Sequence, residues 1–214
     1  MNERQSERSE MVAAQLRSRG IRNERVLAAM HAIPRHRFVL NEYDEAAYAD
    51  QALPISCTQT ISQPFVVARM AEALRLQPSD RVLEVGTGSG YAAAVLSQLA
   101  AAVYTLERHH ELAAAAVAHF EQLALRNISV GVGDGTAGWP AYAPYDAMSV
   151  AAAGPQIPAA LRDQLALGGR LVMPVGERSE QHLLLLERLS NGDQLYDLGT
   201  VRFVPLIGTA GWKD

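Results

Sequence analysis

A glycine-rich segment at residues 83–91, with the sequence LEVGTGSGY, carries the strongest sign of ligand chemistry in the chain. Gly86 and Gly88 allow a tight turn and a close approach of the backbone to a ligand, and Gly90 lets the following helix pack near the preceding strand. The order strand, glycine turn, helix therefore predicts a binding turn. A purely structural strand–helix connection is the alternative interpretation, because glycines occur there too.

Two acidic residues follow the next predicted strands. Glu107 ends a strand about 20 residues after the turn, where a carboxylate can accept hydrogen bonds from both hydroxyls of a ribose. Asp134, flanked by Gly133 and Gly135, follows the third strand, where a side chain can reach the edge of an adenine. Because the carboxyl ends of consecutive parallel strands face one crevice, these features predict a single nucleotide-type site. A solvated strand end for Glu107 and a turn-forming role for Asp134 are the alternatives.

The elements that must position these residues alternate between strands and helices. The predicted strands lie at 82–85, 102–106, 128–132, 145–151 and 169–175, and the predicted helices at 91–101, 111–125 and 158–166. This alternation predicts an α/β fold with a doubly wound, Rossmann-like, mostly parallel sheet of about seven strands. The turn at 190–193, which contains Asn-Gly, joins two further strands at 182–189 and 194–204 as an antiparallel C-terminal edge.

An N-terminal helical extension is expected before the sheet. Its predicted parts are a solvated end at 1–8, helices at 8–19 and 23–31, and a long irregular stretch at 34–62. A stretch of this length within a compact domain is usually functional. Asn23 suits the start of the second helix, and Ser62 can cap a third helix with Pro64 in its first turn.

The composition limits the classes of partner. The 214 residues carry a net charge of −4 with a pI near 5.9 and no basic run, which argues against nucleic acid. No apolar stretch is long and uninterrupted enough for a membrane span. One cysteine, Cys57, excludes an intrachain disulfide and favours a reducing compartment, so a cytoplasmic protein is expected. No metal-ligand spacing occurs among the histidines. A monomer is favoured, although the sequence leaves the oligomeric state open.

The glycine turn resembles motif I of class I S-adenosylmethionine-dependent methyltransferases. Its spacing is GxGxG rather than GxGxxG, and an acid stands two positions before the first glycine. The resemblance implies S-adenosyl-L-methionine as the cofactor and S-adenosyl-L-homocysteine as its product. The implied cofactor-binding residues are Thr60, Ile61, Glu84, Gly86, Thr87, Gly88, Ser89, Gly90, Glu107, Arg108, Asp134 and Gly135.

Three other segments resemble the protein-L-isoaspartate O-methyltransferase family, and together with the turn they cover almost the whole chain. Residues 52–65, ALPISCTQTISQPF, resemble the family's substrate-and-cofactor loop with its TIS(Q/A)P core. Residues 31–39, HAIPRHRFV, resemble its VPRxxFV signature, and residues 201–206, VRFVPL, resemble its RFVPL segment. The resemblance implies a single domain, with N-terminal helices and a substrate loop at 1–76 and the cofactor-binding α/β core at 77–214.

The family resemblance implies methylation of the free α-carboxylate of an L-isoaspartyl residue in damaged proteins or peptides. The ester then closes to a succinimide, which can open to normal aspartate. Ser62 is the implied active-site serine, and Ile55, Thr58 and Val204 join it in binding substrate. A carboxylate nucleophile is ionised near neutral pH, so the residues must chiefly align it with the methyl group and exclude water. A Ser62 hydroxyl can donate to one carboxylate oxygen while the other attacks, and a helix N-cap is its alternative role.

The chain departs from the family pattern at two places. Ser56 and Thr58 stand where the family usually has glycines, and Gly154 directly precedes Pro155 after the fourth strand. Side chains at the first two positions can resist a backbone conformation that glycine adopts. Two alternatives follow: a diverged carboxyl methyltransferase with another substrate, and a catalytically silent cofactor-binding protein that works by interaction.

Overall fold

The N-terminal part of the chain is helical in the structure, a computed structural model that describes residues 3–213. Helix α1 (Gln5–Glu10) continues into a π-helical turn at Met11–Leu16 and a 3-10 turn at Arg17–Arg19. The expectation of a frayed, solvated end is therefore wrong in two respects: residues 5–8 are helical, and the Arg8 side chain is buried, whereas Gln5 and Ser6 are exposed. Residues 1 and 2 of that expected end lie outside the described residues.

Helix α2 (Glu24–Ala32) begins where the sequence predicts. The Asn23 side chain accepts hydrogen bonds from the backbone N–H groups of Arg25 and Val26, which satisfies two donors at the helix start. Its apolar face is buried against the rest of the core. Past Ile33, which is extended, the chain cannot continue as a helix, because Pro34 follows.

The stretch predicted as irregular contains short ordered elements. It has 3-10 turns at Arg35–Phe38, Asn41–Ala46 and Ser56–Thr58, and strands β1 (Leu53–Pro54) and β2 (Thr60–Ile61). The two strands pair antiparallel, so residues 53–61 form a small hairpin, here called the substrate hairpin after the family's substrate-and-cofactor loop that its sequence resembles. Helix α3 (Pro64–Ala73) follows it.

A seven-stranded sheet forms the rest of the framework. Its strands are β3 (Arg81–Val85), β4 (Ala102–Glu107), β5 (Ile128–Val132), β6 (Tyr145–Val150), β7 (Leu165–Gly176), β8 (Gln181–Glu187) and β9 (Gln194–Val201). The order is β5-β4-β3-β6-β7-β8-β9, parallel from β5 to β7 and antiparallel for β8 and β9. This confirms the predicted α/β sheet and its antiparallel C-terminal edge.

Helices cover both faces of the sheet. They are α4 (Tyr91–Ser97), α5 (His110–Gln122) and α6 (Ala159–Gln164) in addition to the N-terminal helices. Neighbouring residues of one strand belong to different cores: Val82 packs with the N-terminal helices, α4 and α5, whereas Leu83 packs with α6. This alternation follows from the two-residue period of a strand and makes β3 apolar on both faces. No helix within residues 3–213 is both long and apolar enough to cross a bilayer.

A fully buried arginine joins the N-terminal part to the sheet. The Arg35 guanidinium donates to the backbone carbonyls of Ala47, Gln51 and Ser62, the last two at 3.1 Å. It also lies 5.8 Å from the ring centroid of Tyr91, the first residue of α4. Burial lowers the pKa of Arg35, because the charged form has lost its water. Gln51 and Ser62 flank the substrate hairpin, so these contacts tie both of its ends to one side chain beside the start of α4.

Replacement of Arg35 by methionine should therefore destabilise the protein by at least about 3 kcal/mol, because several carbonyls lose their donor in a dry environment. The measurement is urea unfolding at neutral pH. Arg37→Met is the matched control, since Arg37 is exposed and its one ion pair within residues 3–213 is with surface Glu3; its effect should stay within about 0.5 kcal/mol. Equal effects of the two changes would contradict the bridging role of Arg35.

Candidate active site

The predicted site residues gather at one edge of the sheet. Strands β3, β4, β5 and β6 all end there, and the chain runs outward in opposite directions from β3 and β6, which creates a crevice. A cavity occupies this crevice. The predicted residues that line it are Thr60, Ile61, Ser62, Gly86, Thr87, Gly88, Ser89, Glu107, Arg108, Gly135 and Val204.

The glycine turn is held by the end of strand β4. The N–H of Gly86 donates to the Leu106 carbonyl at 2.8 Å, and the N–H of Gly88 donates to Oε2 of Glu107 at 2.9 Å. Gly90 has a φ of 94°, and a Cβ there would lie 2.8 Å from the Phe120 ring. Both the left-handed backbone and the close helix α5 therefore require glycine at this position. It supports the turn from behind and does not line the cavity.

Glu107 is the buried acid of the cavity wall, with 5% of its surface exposed. Its Oε1 accepts from the N–H of His109 at 3.0 Å, and its Oε2 accepts from Gly88. Each carboxylate oxygen has about two acceptor positions, so, counting donors from residues 3–213, one on each oxygen is left for a ligand. A pair of adjacent hydroxyls, as on a ribose, fits this arrangement.

Glu84 lies behind the turn rather than in the cavity wall. It is 0% exposed, and its Oε2 accepts from the Thr105 hydroxyl at 2.5 Å, which in turn is 2.6 Å from the Thr87 hydroxyl. Its Oε1 has no hydrogen-bond partner within the described chain. Burial, with a smaller contribution from Glu107, raises the pKa of Glu84 to about 8. A neutral carboxyl therefore supports the turn near pH 7. Hydrogen bonds through the Thr105 and Thr87 hydroxyls connect it to the cavity wall.

Asp134 binds the C-terminal segment of the chain. Its two oxygens accept from the N–H and hydroxyl of Thr136 and from the N–H and hydroxyl of Thr209, at 2.6–2.9 Å. Burial opposes ionisation, but these hydrogen bonds outweigh it and lower the pKa of Asp134 to about 2. The four hydrogen bonds fill the usual acceptor positions of a carboxylate. The side chain is thus committed to the turn around Thr209, next to the Gly135 wall of the cavity.

The substrate hairpin lies over the glycine turn. The Cδ1 atom of Ile55 is 3.5 Å from the position that a Cβ would take on Gly88, and the Cys57 thiol is 3.7 Å from Oε2 of Glu111 on α5. Burial, followed by Glu111, raises the pKa of the Cys57 thiol, which disfavours a nucleophilic thiolate. Ile55 is buried outside the cavity wall, and Thr58 is exposed at the hairpin tip.

Ser62 lies where the hairpin meets the cavity. Helix α3 has Gln63 as its N-cap and no side-chain cap hydrogen bond, so the N-cap alternative for Ser62 is wrong. The backbone carbonyl of Ser62 accepts from Arg35, whereas no partner for its hydroxyl occurs among residues 3–213. Its hydroxyl is therefore available to a ligand.

Several residues near the site carry no local signal of their role. Arg35 belongs to the HAIPRHRFV segment, but its contact with Ser62 spans 27 residues. A ring nitrogen of His119, Nδ1, lies 2.9 Å from the Ser89 carbonyl of the turn. Ala151 and Ala152, which follow β6, line the cavity, but alanines in an alanine-rich segment do not by themselves indicate a binding role. They belong to the AAAGP segment after the fourth predicted strand, and the position of β6 beside β3 places them at the cavity.

A mostly parallel sheet with this strand order and an antiparallel C-terminal edge, a GxGxG turn after β3 and an acid at the end of β4 together define the class I methyltransferase fold. The protein-L-isoaspartate(D-aspartate) O-methyltransferase family model matches residues 6–211. The chain belongs to this family.

Similar proteins span nearly the whole chain. A protein-L-isoaspartate O-methyltransferase from Pelotomaculum thermopropionicum is 54% identical over 99% of this chain and 93% of its own length. One from Roseiflexus sp. is 57% identical over 91% of this chain and 89% of its own length.

Solved structures of proteins with the same family name have a similar fold. A protein-L-isoaspartate O-methyltransferase superposes with a TM-score of 0.86 at 28% identity, covering 95% of this chain and 67% of that one. A putative one from Plasmodium falciparum, in complex with S-adenosyl-L-homocysteine, gives a TM-score of 0.79 at 25% identity, covering 94% and 98%.

The raised pKa of Glu84 predicts a loss of stability at high pH. The stabilising effect of its neutral form is complete below about pH 4.5, the ordinary pKa, and is lost as pH rises towards the folded-state pKa of about 8. Glu84→Gln mimics the neutral acid, so between pH 5 and pH 9 the wild-type protein should lose about 4 kcal/mol relative to this variant. Urea unfolding at several pH values measures the difference. Exposed Glu121→Gln is the control, and a parallel pH profile for Glu84→Gln and wild type would refute the assignment.

The hairpin tip predicts opposite effects of two glycine substitutions. Thr58 has a φ of 56°, which is costly for a β-branched residue, whereas Ser56 does not have a positive φ. Thr58→Gly should stabilise the protein by about 0.5 kcal/mol, because relief of strain exceeds the added flexibility of the unfolded chain. Ser56→Gly should destabilise it by a similar amount. Thermal unfolding of both variants tests this pair, and a destabilising effect of Thr58→Gly would show that strain at Thr58 is not released.

Proposed function

We propose that this chain is a protein-L-isoaspartate O-methyltransferase that methylates the α-carboxylate of L-isoaspartyl residues in damaged proteins and peptides. The observation that carries the proposal is the position of Ser62. It lines the cavity of the glycine turn and also a second cavity on its outer side. A carboxylate entering from the outer cavity would meet the Ser62 hydroxyl at the boundary of the cofactor site.

The residues around the glycine turn fit S-adenosyl-L-methionine, which supplies a methyl group on a sulfonium when bound and leaves as S-adenosyl-L-homocysteine. In this proposal the two remaining acceptor positions of Glu107 bind the ribose hydroxyls. The proposed cavity wall for the cofactor consists of Thr60, Ile61, Gly86, Thr87, Gly88, Ser89, Arg108 and Gly135.

Three of the cofactor residues inferred from the sequence take a supporting role in this proposal. Glu84 steadies the turn through Thr105, and Gly90 allows helix α5 to approach it. Asp134 organises the adenine end by holding Thr209, because its acceptor positions are filled from within the chain. Gly135 forms the wall itself, and a Cβ there would lie 2.3 Å from Val85.

In this proposal the chain aligns the substrate carboxylate with the methyl group of the cofactor and does not abstract a proton. The carboxylate of the substrate is already a nucleophile near neutral pH, so no general base is needed. The Ser62 hydroxyl donates to one carboxylate oxygen and directs the other towards the methyl group. Ile55 and the rest of the substrate hairpin cover the turn and limit access of water.

We propose that the two parts of the chain have separate roles. Residues 1–76 present the substrate hairpin, with Ile55, Thr58 and Ser62 on the substrate side, and residues 77–214 hold the cofactor. Val204 completes the substrate side from the C-terminal segment. We further propose that the protein is a monomer in a reducing compartment such as the cytoplasm, which the single cysteine supports. Its proposed partners are protein substrates rather than nucleic acid or membrane, and the net charge of −4 argues against nucleic acid.

An assay with an isoaspartyl peptide and its aspartyl counterpart tests this function. The wild-type protein should methylate only the isoaspartyl peptide. Ser62→Ala should lower kcat by about tenfold to a hundredfold with little change in cofactor affinity, since one positioned donor is lost. Ser190→Ala, in the exposed β8–β9 turn, should behave as wild type. Cofactor binding by calorimetry without any isoaspartyl turnover would overturn the proposed reaction.

A further inference from the structure

A second cavity adjoins the cofactor cavity and collects arginine side chains. The two cavities share Thr60, Ser62, Ala151 and Val204 in their walls. Arg19, Arg69 and Arg202 line the outer cavity, whereas no aspartate or glutamate among residues 3–213 lines it. The chain as a whole has a net charge of −4, so this is a local reversal of charge beside the proposed reaction site.

Two of these arginines are held in place by an aromatic ring. The Arg19 guanidinium lies 3.7 Å from the Phe65 ring centroid and pairs with Asp50, while Arg69 lies 6.0 Å from the same ring. Arg69 also donates to the carbonyl of Leu198 on β9. Cation–π contact and these polar partners fix the two side chains in the wall. Asp50 offsets one positive charge of the three.

Arg202 differs from the other two arginines in the partners of its guanidinium. No hydrogen bond, ion pair or aromatic contact engages its guanidinium anywhere in residues 3–213. It follows β9 and precedes Val204 by two residues, and Val204 lines both cavities. A planar guanidinium without a partner at the mouth of a cavity is suited to a carboxylate.

We propose that the outer cavity binds an acidic side chain next to the isoaspartyl residue, so that the chain prefers damage sites flanked by aspartate or glutamate. This inference rests on the proposed function. The arginines serve a flanking carboxylate rather than the one that is methylated, because a guanidinium on the nucleophile would reduce its reactivity. The neutral Ser62 hydroxyl stands at the inner boundary, and Arg202 supplies the charge for the neighbouring residue.

Three isoaspartyl peptides that differ only in the residues flanking the damage site test this preference. The flanking residues are glutamate, its neutral analogue glutamine, or lysine. In wild-type protein, kcat/KM for the glutamate peptide should be roughly threefold higher than for the glutamine peptide, mainly because KM is lower. The difference between the glutamate and lysine peptides should be larger than that. Raising the salt from about 50 mM to about 500 mM should shrink this ratio, because the charges are exposed.

Charge reversal identifies the residue responsible. Arg202→Glu should abolish the preference for glutamate or turn it towards lysine, as judged by the ratio of the kcat/KM values for the glutamate and lysine peptides within the variant. Arg126→Glu is the matched control: Arg126 is exposed and precedes β5, at the opposite edge of the sheet, so the wild-type preference should persist. Arg202→Gln, which loses the charge without reversing it, should give an intermediate preference and serves if the reversal impairs folding.

The outcomes separate this inference from the proposed function. Equal kcat/KM for all three peptides in wild type, or the same preference in Arg202→Glu as in wild type, would overturn the inference while isoaspartyl methylation stands. Absence of turnover on every peptide, with S-adenosyl-L-methionine still bound, would instead reject the proposed function.

Discussion

The buried guanidinium of Arg35 is the interaction on which the arrangement of the site depends. A charged group without water must be surrounded by acceptors, and here backbone carbonyls from three separate places provide them. One of them belongs to Ser62, and the same guanidinium lies near the Tyr91 ring at the start of α4. The N-terminal helices therefore do more than cover the sheet, since they bring the substrate hairpin into a defined position over the glycine turn.

The two buried glutamates near the turn illustrate how position decides role. Glu107 stands at the end of β4, where its oxygens meet backbone N–H groups and the cavity. Glu84 lies inside the sheet between β4 and β6, where the Thr105 hydroxyl is its one hydrogen-bond donor among residues 3–213, and burial favours its neutral form. Both residues look alike in the sequence as acids flanking apolar strands. The difference in surroundings makes one a proposed ligand of the cofactor and the other a support.

Local patterns predicted the elements well where the signal lies within one element. The β-strand and helix order from β3 onward, the Asn23 cap and the antiparallel C-terminal edge all follow from periodicity and turn residues. The errors lie where tertiary contacts override local preference. Residues 5–8 are polar, yet Arg8 is buried because its guanidinium donates to the His31 carbonyl of α2. Ser62 has the residue type of an N-cap, but the chain is extended until Gln63.

By itself the sequence determined the glycine turn, the acid after β4 and the resemblance to the isoaspartyl methyltransferase family, because each depends on residues at short and regular spacing. The tertiary structure alone decided which side chains share a space. It brought together Arg19, Arg69 and Arg202, and it joined Asp134 to Thr209 across 75 residues. The sequence has no run of basic residues that would predict the outer cavity, because its three arginines come from distant segments of the chain. Charge and hydrogen-bond partners depend on distance in space, which only the packed chain defines.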